Sequence, residues 1–124
     1  MRERKDLTAE QEKEMRIEVI KALKNYKALR VRMKNIQEQH EAGCETLFSK
    51  VKEDPEHELR FKQIERTLND ALDEDQRKII EMKYLGSESV KDPYVYHELM
   101  IQRDPYYEKK GRAIVLIATA LGII

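Results

Sequence analysis

A chain of 124 residues is large enough for one hydrophobic core, and its 24 basic and 24 acidic side chains give a net charge of zero that by itself identifies no partner. Charged residues make up 39% of the chain, Trp is absent, and only 4 Gly and 3 Pro occur, a composition that excludes a disordered chain and is typical of a solvated helical protein. The charge is unevenly distributed, since residues 1–42 carry 11 basic and 8 acidic side chains.

The N-terminus and the apolar segments predict a cytoplasmic protein. The stretch MRERKDLTAE is charged and lacks the apolar core of a secretory signal. The longest apolar run, from Ala113 to Ile124, is too short to cross a bilayer, and the single cysteine, Cys44, cannot form an internal disulfide. We therefore expect no membrane partner.

The first predicted element is a long helix. Thr8 with Gln11 forms a candidate capping box, and nothing interrupts the helix from there to about Ala42, where Gly43 ends it. Its apolar face predicts a partner helix from the same chain, with the seam of a homodimer as the alternative. The two rows of this face have a seven-residue spacing: Val19, Tyr26, Met33 and His40 in one, Met15, Ala22, Leu29 and Ile36 in the other.

A basic stripe lies on the same helix, mostly opposite the apolar face. Such a stripe can follow a phosphate backbone, and a solvated helix surface explains it at least as well. Six basic residues and no acidic one occur between positions 21 and 34: Lys21, Lys24, Lys27, Arg30, Arg32 and Lys34.

Residues 43–57 predict a loop that includes a turn of helix and docks Leu47, Phe48 and Val51 against the core. Asp54 followed by Pro55 restarts helix.

A second capped start follows in the next segment. Asp73 with Gln76 forms another candidate capping box, and Gly86 ends that helix as a C-terminal cap.

Three potential metal ligands, His40, Cys44 and His57, are scattered and lack a fourth partner, so we interpret them as incidental. The chain contains no phosphate-cradling glycine loop and no nucleophile motif. We therefore expect a protein that is not an enzyme and needs no cofactor or metal.

The stretch DPYVYHELMIQRDPYY contains two helix starts, at Asp92-Pro93 and at Asp104-Pro105. The first helix has room for about two turns before the chain must turn into the second, which indicates a helix-turn-helix, with an ordinary helical hairpin as the alternative. We predict helices near residues 74–85, 93–100 and 105–121. Their packing together would bring four side chains into one cluster: Tyr96, Leu99, Ala113 and Ile117.

Two segments together resemble the promoter-reading C-terminal domain of bacterial sigma factors, namely LDEDQRKIIEMKYLG and VYHELMIQRDPYYEKKGRAI. The residues that carry this resemblance are Leu72, Ile79, Ile80, Tyr84, Arg112 and Ala113. More closely, KYL, VYHEL and the pair Tyr106 and Tyr107 ahead of KKGRA resemble the ArpU-type family of phage transcriptional regulators, related to the RinA-type activators of late phage genes. The motifs cover residues 60–124.

Two bulky residues depart from the usual helix-turn-helix pattern. Tyr96 occupies a position that a small residue usually takes, and Met100 occupies one that Gly usually takes. We therefore expect a wider crossing of the two helices or a different turn.

A helical wheel with Tyr106 inward directs part of the last helix outward. For Tyr96 and Tyr106 we favour packing in the core, and we expect the ammonium of Lys110 to reach solvent or phosphate while its stem covers the core edge. A solvated helix face is the alternative for each charge. The candidate DNA-binding residues are Arg103, Tyr107, Glu108, Lys109, Lys110, Gly111 and Arg112.

The end of the last helix, AIVLIATALGII, is apolar nearly all round, which predicts a cover on both sides. The first helix of the same chain and a second subunit are both possible covers.

The expected fold is all-α, a long N-terminal helix plus a C-terminal helical bundle that contains a helix-turn-helix. Residues 1–58 form the long helix and its connecting loop, and residues 59–124 form the sigma-like DNA-binding region of one compact unit. The expected function is a phage or prophage late-gene activator, a monomer or homodimer that binds double-stranded DNA and acts with host RNA polymerase.

A stand-alone sigma factor must also hold unstacked bases, and residues 1–72 offer only Tyr26, Phe48 and Phe61 as aromatic platforms, which favours an accessory regulator. The rivals are a small DNA-packaging subunit of terminase type and a helical adaptor that binds protein.

Overall fold

The computed structural model of the protein describes residues 7–44, 47–48 and 54–124. Within these ranges all regular structure is helical, and no strand occurs, as the sequence predicts. None of the described helices is long and apolar enough to cross a membrane. The helices are α1 (Ala9–Ala42), α2 (Pro55–Arg66), α3 (Glu74–Ile80), α4 (Asp92–Glu98) and α5 (Arg103–Ala120).

The ends of α1 are those that the sequence predicts. The Gln11 amide donates to the Thr8 hydroxyl at 3.1 Å, and the Thr8 amide donates to the Gln11 side chain at 2.9 Å, so the capping box is confirmed. Gly43 ends the helix in the left-handed conformation, with φ of 70°.

Side-chain caps also begin α2 and α3. The Asp54 carboxylate accepts from the Glu56 amide at 3.0 Å, and Asp73 exchanges two hydrogen bonds with Gln76 at 2.8 and 2.9 Å. Each of these helices continues into a π-helical turn, at Thr67–Ala71 and Glu81–Leu85. Gly86 follows the second turn in an extended conformation, with φ of −72°, so the helix ends where predicted but without a left-handed glycine cap.

The main core joins α1 to α2, α3 and α5, so the partner of the first helix lies within the same chain. Of the predicted rows, Met15, Val19, Tyr26 and Leu29 are buried, and the first three of them belong to the main core. Leu23, which belongs to neither row, is also fully buried, because α1 is covered on a face wider than a coiled-coil seam. The other members of this core are Ile64, Leu68, Leu72, Ile80, Leu85, Ala113, Ile114, Ile117 and Ala118.

The apolar end of α5 lies in this main core. Ala113, Ile114, Ile117 and Ala118 are buried there together with α1 residues, while Leu116 on the other side is 38% exposed. Of the two covers that the sequence allows, the first helix of the same chain is the one present here.

A smaller core lies between α3, α4 and the first half of α5. Its fully buried members are Ile79, Val95 and Tyr106. Tyr96 and Leu99 pack against this smaller core, whereas Ala113 and Ile117 belong to the main one, so the prediction of a single cluster is wrong. The reason is length: α5 has 18 residues and rises about 27 Å, whereas α4 spans only about 10 Å.

The predicted docking of the connecting loop is also wrong for the residues described. Leu47 and Phe48 form a turn and are 67% and 63% exposed. Val51 lies outside the described residues. Apolar side chains are often exposed at a protein surface, so their presence in a loop does not show that they are buried. The local sequence of this segment does not show which surface could cover them.

Candidate nucleic-acid interface

The connection between α4 and α5 is a tight turn that passes through Met100. The Ile101 amide donates to the Tyr96 carbonyl at 3.0 Å and the Met100 amide donates to the His97 carbonyl at 3.2 Å, the pattern of a Schellman motif. Met100 has φ of 58°, the left-handed conformation that favours glycine. Its side chain is 92% exposed, so the turn that glycine usually makes is kept with a methionine directed into solvent.

The two Asp-Pro pairs mark the helix starts to within one residue for α4 and two residues for α5, but neither aspartate caps its helix. Helix α4 begins at Asp92 and α5 at Arg103, and neither start has a side-chain cap bond. The Asp104 side chain is 90% exposed, near the Arg103 guanidinium at 3.9 Å. The Asp92 carboxylate instead contacts α5, so the repeated motif has two different roles.

A hydrogen-bonded cluster fixes α5 against the start of α4. The Tyr106 hydroxyl donates to Asp92 Oδ1 at 2.6 Å, and Lys110 Nζ donates to the same oxygen at 2.9 Å. Lys110 Nζ also lies 5.7 Å from the centre of the Tyr106 ring and 5.3 Å from that of Tyr107. Tyr106 is fully buried and Tyr96 is half-buried, and the centres of their rings lie 5.4 Å apart. This agrees with the predicted core packing of the two rings.

Protonation of this cluster follows from its contacts. Burial opposes ionisation of Asp92, but the hydrogen bonds from Tyr106 and Lys110 and the charges of Lys110 and Lys83 outweigh it, so the pKa of Asp92 lies below its ordinary value. Burial and the Asp92 carboxylate both raise the pKa of the Tyr106 hydroxyl. At neutral pH the cluster therefore contains the Asp92 carboxylate and the neutral Tyr106 phenol.

Two of the candidate DNA-binding lysines make contacts within the protein. The Lys110 side chain is 16% exposed and bonded to Asp92, so its ammonium reaches a carboxylate rather than the solvent that the helical wheel suggests. Lys109 Nζ lies 3.3 Å from Asp75 Oδ2 at the start of α3. Both lysines thus orient α5 on its neighbours.

The other candidates lie on the outward side of α5. Tyr107 is 41% exposed, and the Glu108 and Arg112 side chains are 62% and 60% exposed and form a pair at 2.6 Å. Gly111 is half-buried, and a Cβ built there would meet nothing within 4 Å. Arg103, at the first position of α5, has a side chain that is 74% exposed.

The charges of α5 are compensated by nearby carboxylates. Each of the four basic residues of this helix has an acidic partner within 4.0 Å. The pairing of Glu108 with Arg112 is visible in the sequence as an i,i+4 spacing. The pairings of Lys109 with Asp75 and of Lys110 with Asp92 join residues distant in the chain, so the sequence contained no direct signal for them.

The basic stripe of α1 is divided between internal contacts and solvent. Arg30 lies 3.4 Å from Glu81, and Lys27 Nζ donates to the Gly86 carbonyl. Lys21, Lys24 and Lys34 are exposed and form no ion pair with another described residue.

Comparison of the chain with protein-family models, with curated proteins and with solved structures gave no match.

Proposed function

We propose that the protein is a DNA-binding transcription regulator, a phage or prophage late-gene activator that reads a promoter in the cytoplasm with α4 and α5 and acts with host RNA polymerase. Support comes from the order of elements, a seven-residue helix, a tight turn and an 18-residue helix. In helix-turn-helix proteins the second helix enters the major groove while the first crosses the backbone.

The observation that carries the proposal is the surface around Gly111. A glycine inside a helix costs about 1 kcal/mol relative to alanine, and packing gives no reason for it, because a Cβ at this position would meet open space. A surface that must approach another molecule closely does give a reason. Tyr107, Glu108 and Arg112 surround this bare backbone with a phosphate ligand, a hydrogen-bond acceptor and a bidentate donor.

The pairing of Arg112 with Glu108 is compatible with this role. Both side chains are more than half exposed, and an exposed ion pair contributes only about 0–1 kcal/mol. Arg112 can therefore exchange Glu108 for a guanine edge at little cost, after which Glu108 is free to accept from a cytosine amine. Lys109 and Lys110 act in this proposal by positioning α5.

Selection of bound fragments from a random DNA pool tests the proposal. A regulator of this kind enriches one sequence, and the Gly111→Ala protein, folded and more stable in its helix, binds that sequence more weakly. Absence of DNA binding at low salt rejects the proposal, as does enrichment that Gly111→Ala leaves unchanged.

A protein-binding adaptor is the second candidate. It is favoured by the compensated charges of α5 and by a groove between α1 and α2, where Met33, Ile36 and Phe61 are half-buried side by side. An adaptor binds no DNA at low salt.

A DNA-packaging subunit would instead assemble a ring of about eight or more copies. A measurement of molecular mass in solution distinguishes such a ring from a monomer or dimer.

A further inference from the structure

A basic cleft lies between α1 and the chain that follows α3. Its volume is about 570 Å³. The polar side chains of its lining are three lysines, two serines, one tyrosine and one glutamate: Lys24, Lys27, Lys83, Ser87, Ser89, Tyr84 and Glu88. The cleft is outside the surface around Gly111 discussed above.

Two of the lysines are held in place by main-chain carbonyls. Lys27 Nζ donates to the Gly86 carbonyl, and Lys83 Nζ donates to the Val90 carbonyl at 2.6 Å. An ammonium has three donors, so each lysine keeps two for a ligand. Because the two carbonyls already fix these side chains, a ligand that binds between them costs less conformational entropy.

The lysines of this cleft have no carboxylate of the described residues within ion-pair distance, in contrast to the basic residues of α5, and the charge of Lys83 acts on Asp92 only from further away. Within the described part of the chain, none of its three lysines forms an ion pair with a carboxylate. Glu88 is exposed, as are Lys24 and both serines, and it forms no ion pair with a described residue. Three positive charges against one negative charge leave an excess of positive charge beside two hydroxyl donors.

From these groups we infer that the cleft binds a phosphate group. Lysine ammoniums are point charges that suit a tetrahedral oxyanion, and hydroxyls add neutral donors. The cleft contains no arginine fork, the group that recognises a planar carboxylate in bidentate fashion. The ligand chemistry is therefore a phosphate, from the DNA backbone or from a small phosphate compound.

The position of the cleft connects it with α4. Val90, whose carbonyl holds Lys83, precedes the first residue of α4 by two positions. A DNA backbone that crosses α4 would thus pass near this segment. The DNA source rests on the proposed function, whereas the phosphate site itself does not.

The test uses Lys24→Gln, because Lys24 is exposed and makes no contact that folding would lose. The matched control is Lys21→Gln, an exposed lysine one turn earlier that lines a different cavity. The first probe is inorganic phosphate, titrated against chloride at equal ionic strength while the amide resonances of residues 86–91 are followed. We expect the resonances to shift until the site is saturated. The affinity for phosphate obtained from this titration should fall about tenfold in Lys24→Gln and stay unchanged in Lys21→Gln.

The second probe is duplex DNA. If the phosphate belongs to the DNA backbone, Lys24→Gln lowers the slope of log affinity against log salt by about one unit and keeps the base preference, whereas Arg112→Ala leaves the phosphate shift intact. A phosphate shift without an effect on DNA assigns the cleft to a small phosphate compound. If neither probe distinguishes Lys24→Gln from Lys21→Gln, the inference is wrong. Failure of DNA binding with an intact phosphate shift rejects only the proposed function.

Discussion

The Asp92 carboxylate is the acceptor for both Tyr106 and Lys110, and its removal should weaken the attachment of α5 to α4. We expect Asp92→Asn to lower the free energy of unfolding by about 1.5–3 kcal/mol at pH 7, the range for hydrogen bonds to a charged group. Urea denaturation measures this change. Asp104→Asn, the corresponding aspartate of the repeat, is the control, because its side chain is 90% exposed and its charge in the first turn of α5 should contribute only about 0.3–1 kcal/mol.

The pH dependence of the same difference follows from the lowered pKa of Asp92. The unfolded carboxyl has a pKa of about 3.9, so the stabilising contribution is complete above that value and is lost as the pH falls through the lower pKa of the folded state. The stability difference between the wild type and Asp92→Asn should therefore shrink in acid. A difference that stays constant between pH 7 and pH 3 would contradict the assigned contacts.

Arg112 is the residue through which the proposed interface should show base specificity. We expect Arg112→Ala to cost about 1–3 kcal/mol at the selected DNA site and to relax the preference at one base position. Arg60→Ala is the matched control, because Arg60 forms the same kind of exposed i,i+4 pair, with Glu56 at 2.8 Å on α2. Equal losses of affinity for both variants, measured on matched and mismatched sites, would show general charge attraction instead.

At the scale of the element, Met100 carries the strain of the turn between α4 and α5. A left-handed residue that is not glycine costs about 1–2 kcal/mol, and glycine recovers part of this at an entropic cost of its own. We expect Met100→Gly to raise the free energy of unfolding by up to about 1 kcal/mol, since the exposed side chain contributes no packing. Glu98→Gly, at a helical position two residues earlier, should instead lower it by a similar amount.

The helix starts could be predicted because each depends on neighbours in the chain. Thr8, Asp54 and Asp73 reach amides two or three residues away, and the structure confirms all three caps. The role of Asp92 could not be predicted, because its partner Lys110 lies 18 residues later. The separation of the buried side chains into two cores could not be predicted either. Helical periodicity shows which face of a helix is buried, but it does not show which other helix covers that face.

The outward side of α5 could be predicted from the sequence for a similar reason. The helical wheel correctly directs Glu108 and Arg112 outward, because side-chain direction depends only on the helical period. The ties of Lys109 to Asp75 and Lys110 to Asp92 depend on how α3 and α4 approach α5. Lys83 gave no signal in the sequence, since its contact with Val90 needs the turn of the chain after α3.

At the scale of the whole molecule, the main core joins α1 with α2, α3 and α5. The free energy of unfolding should therefore depend on the side chains that α1 contributes to it. Leu23 is fully buried in that core, and we expect Leu23→Ala to lower the free energy of unfolding by about 2–5 kcal/mol. Ile36→Ala, on the half-buried end of the same helix, should cost much less. Equal losses in urea denaturation would contradict the placement of the core.

Because there are two cores, the two parts of the molecule should differ in local stability, and α4 with the smaller core should be the less stable part. Three fully buried side chains hold the smaller core, whereas the larger one draws on four helices. Amide hydrogens of α4 should therefore exchange with solvent through a partial opening that leaves the amides near Ile117 protected. A ligand bound across α4 and α5 would oppose that opening, so its occupancy could be followed from the protection of the α4 amides against exchange.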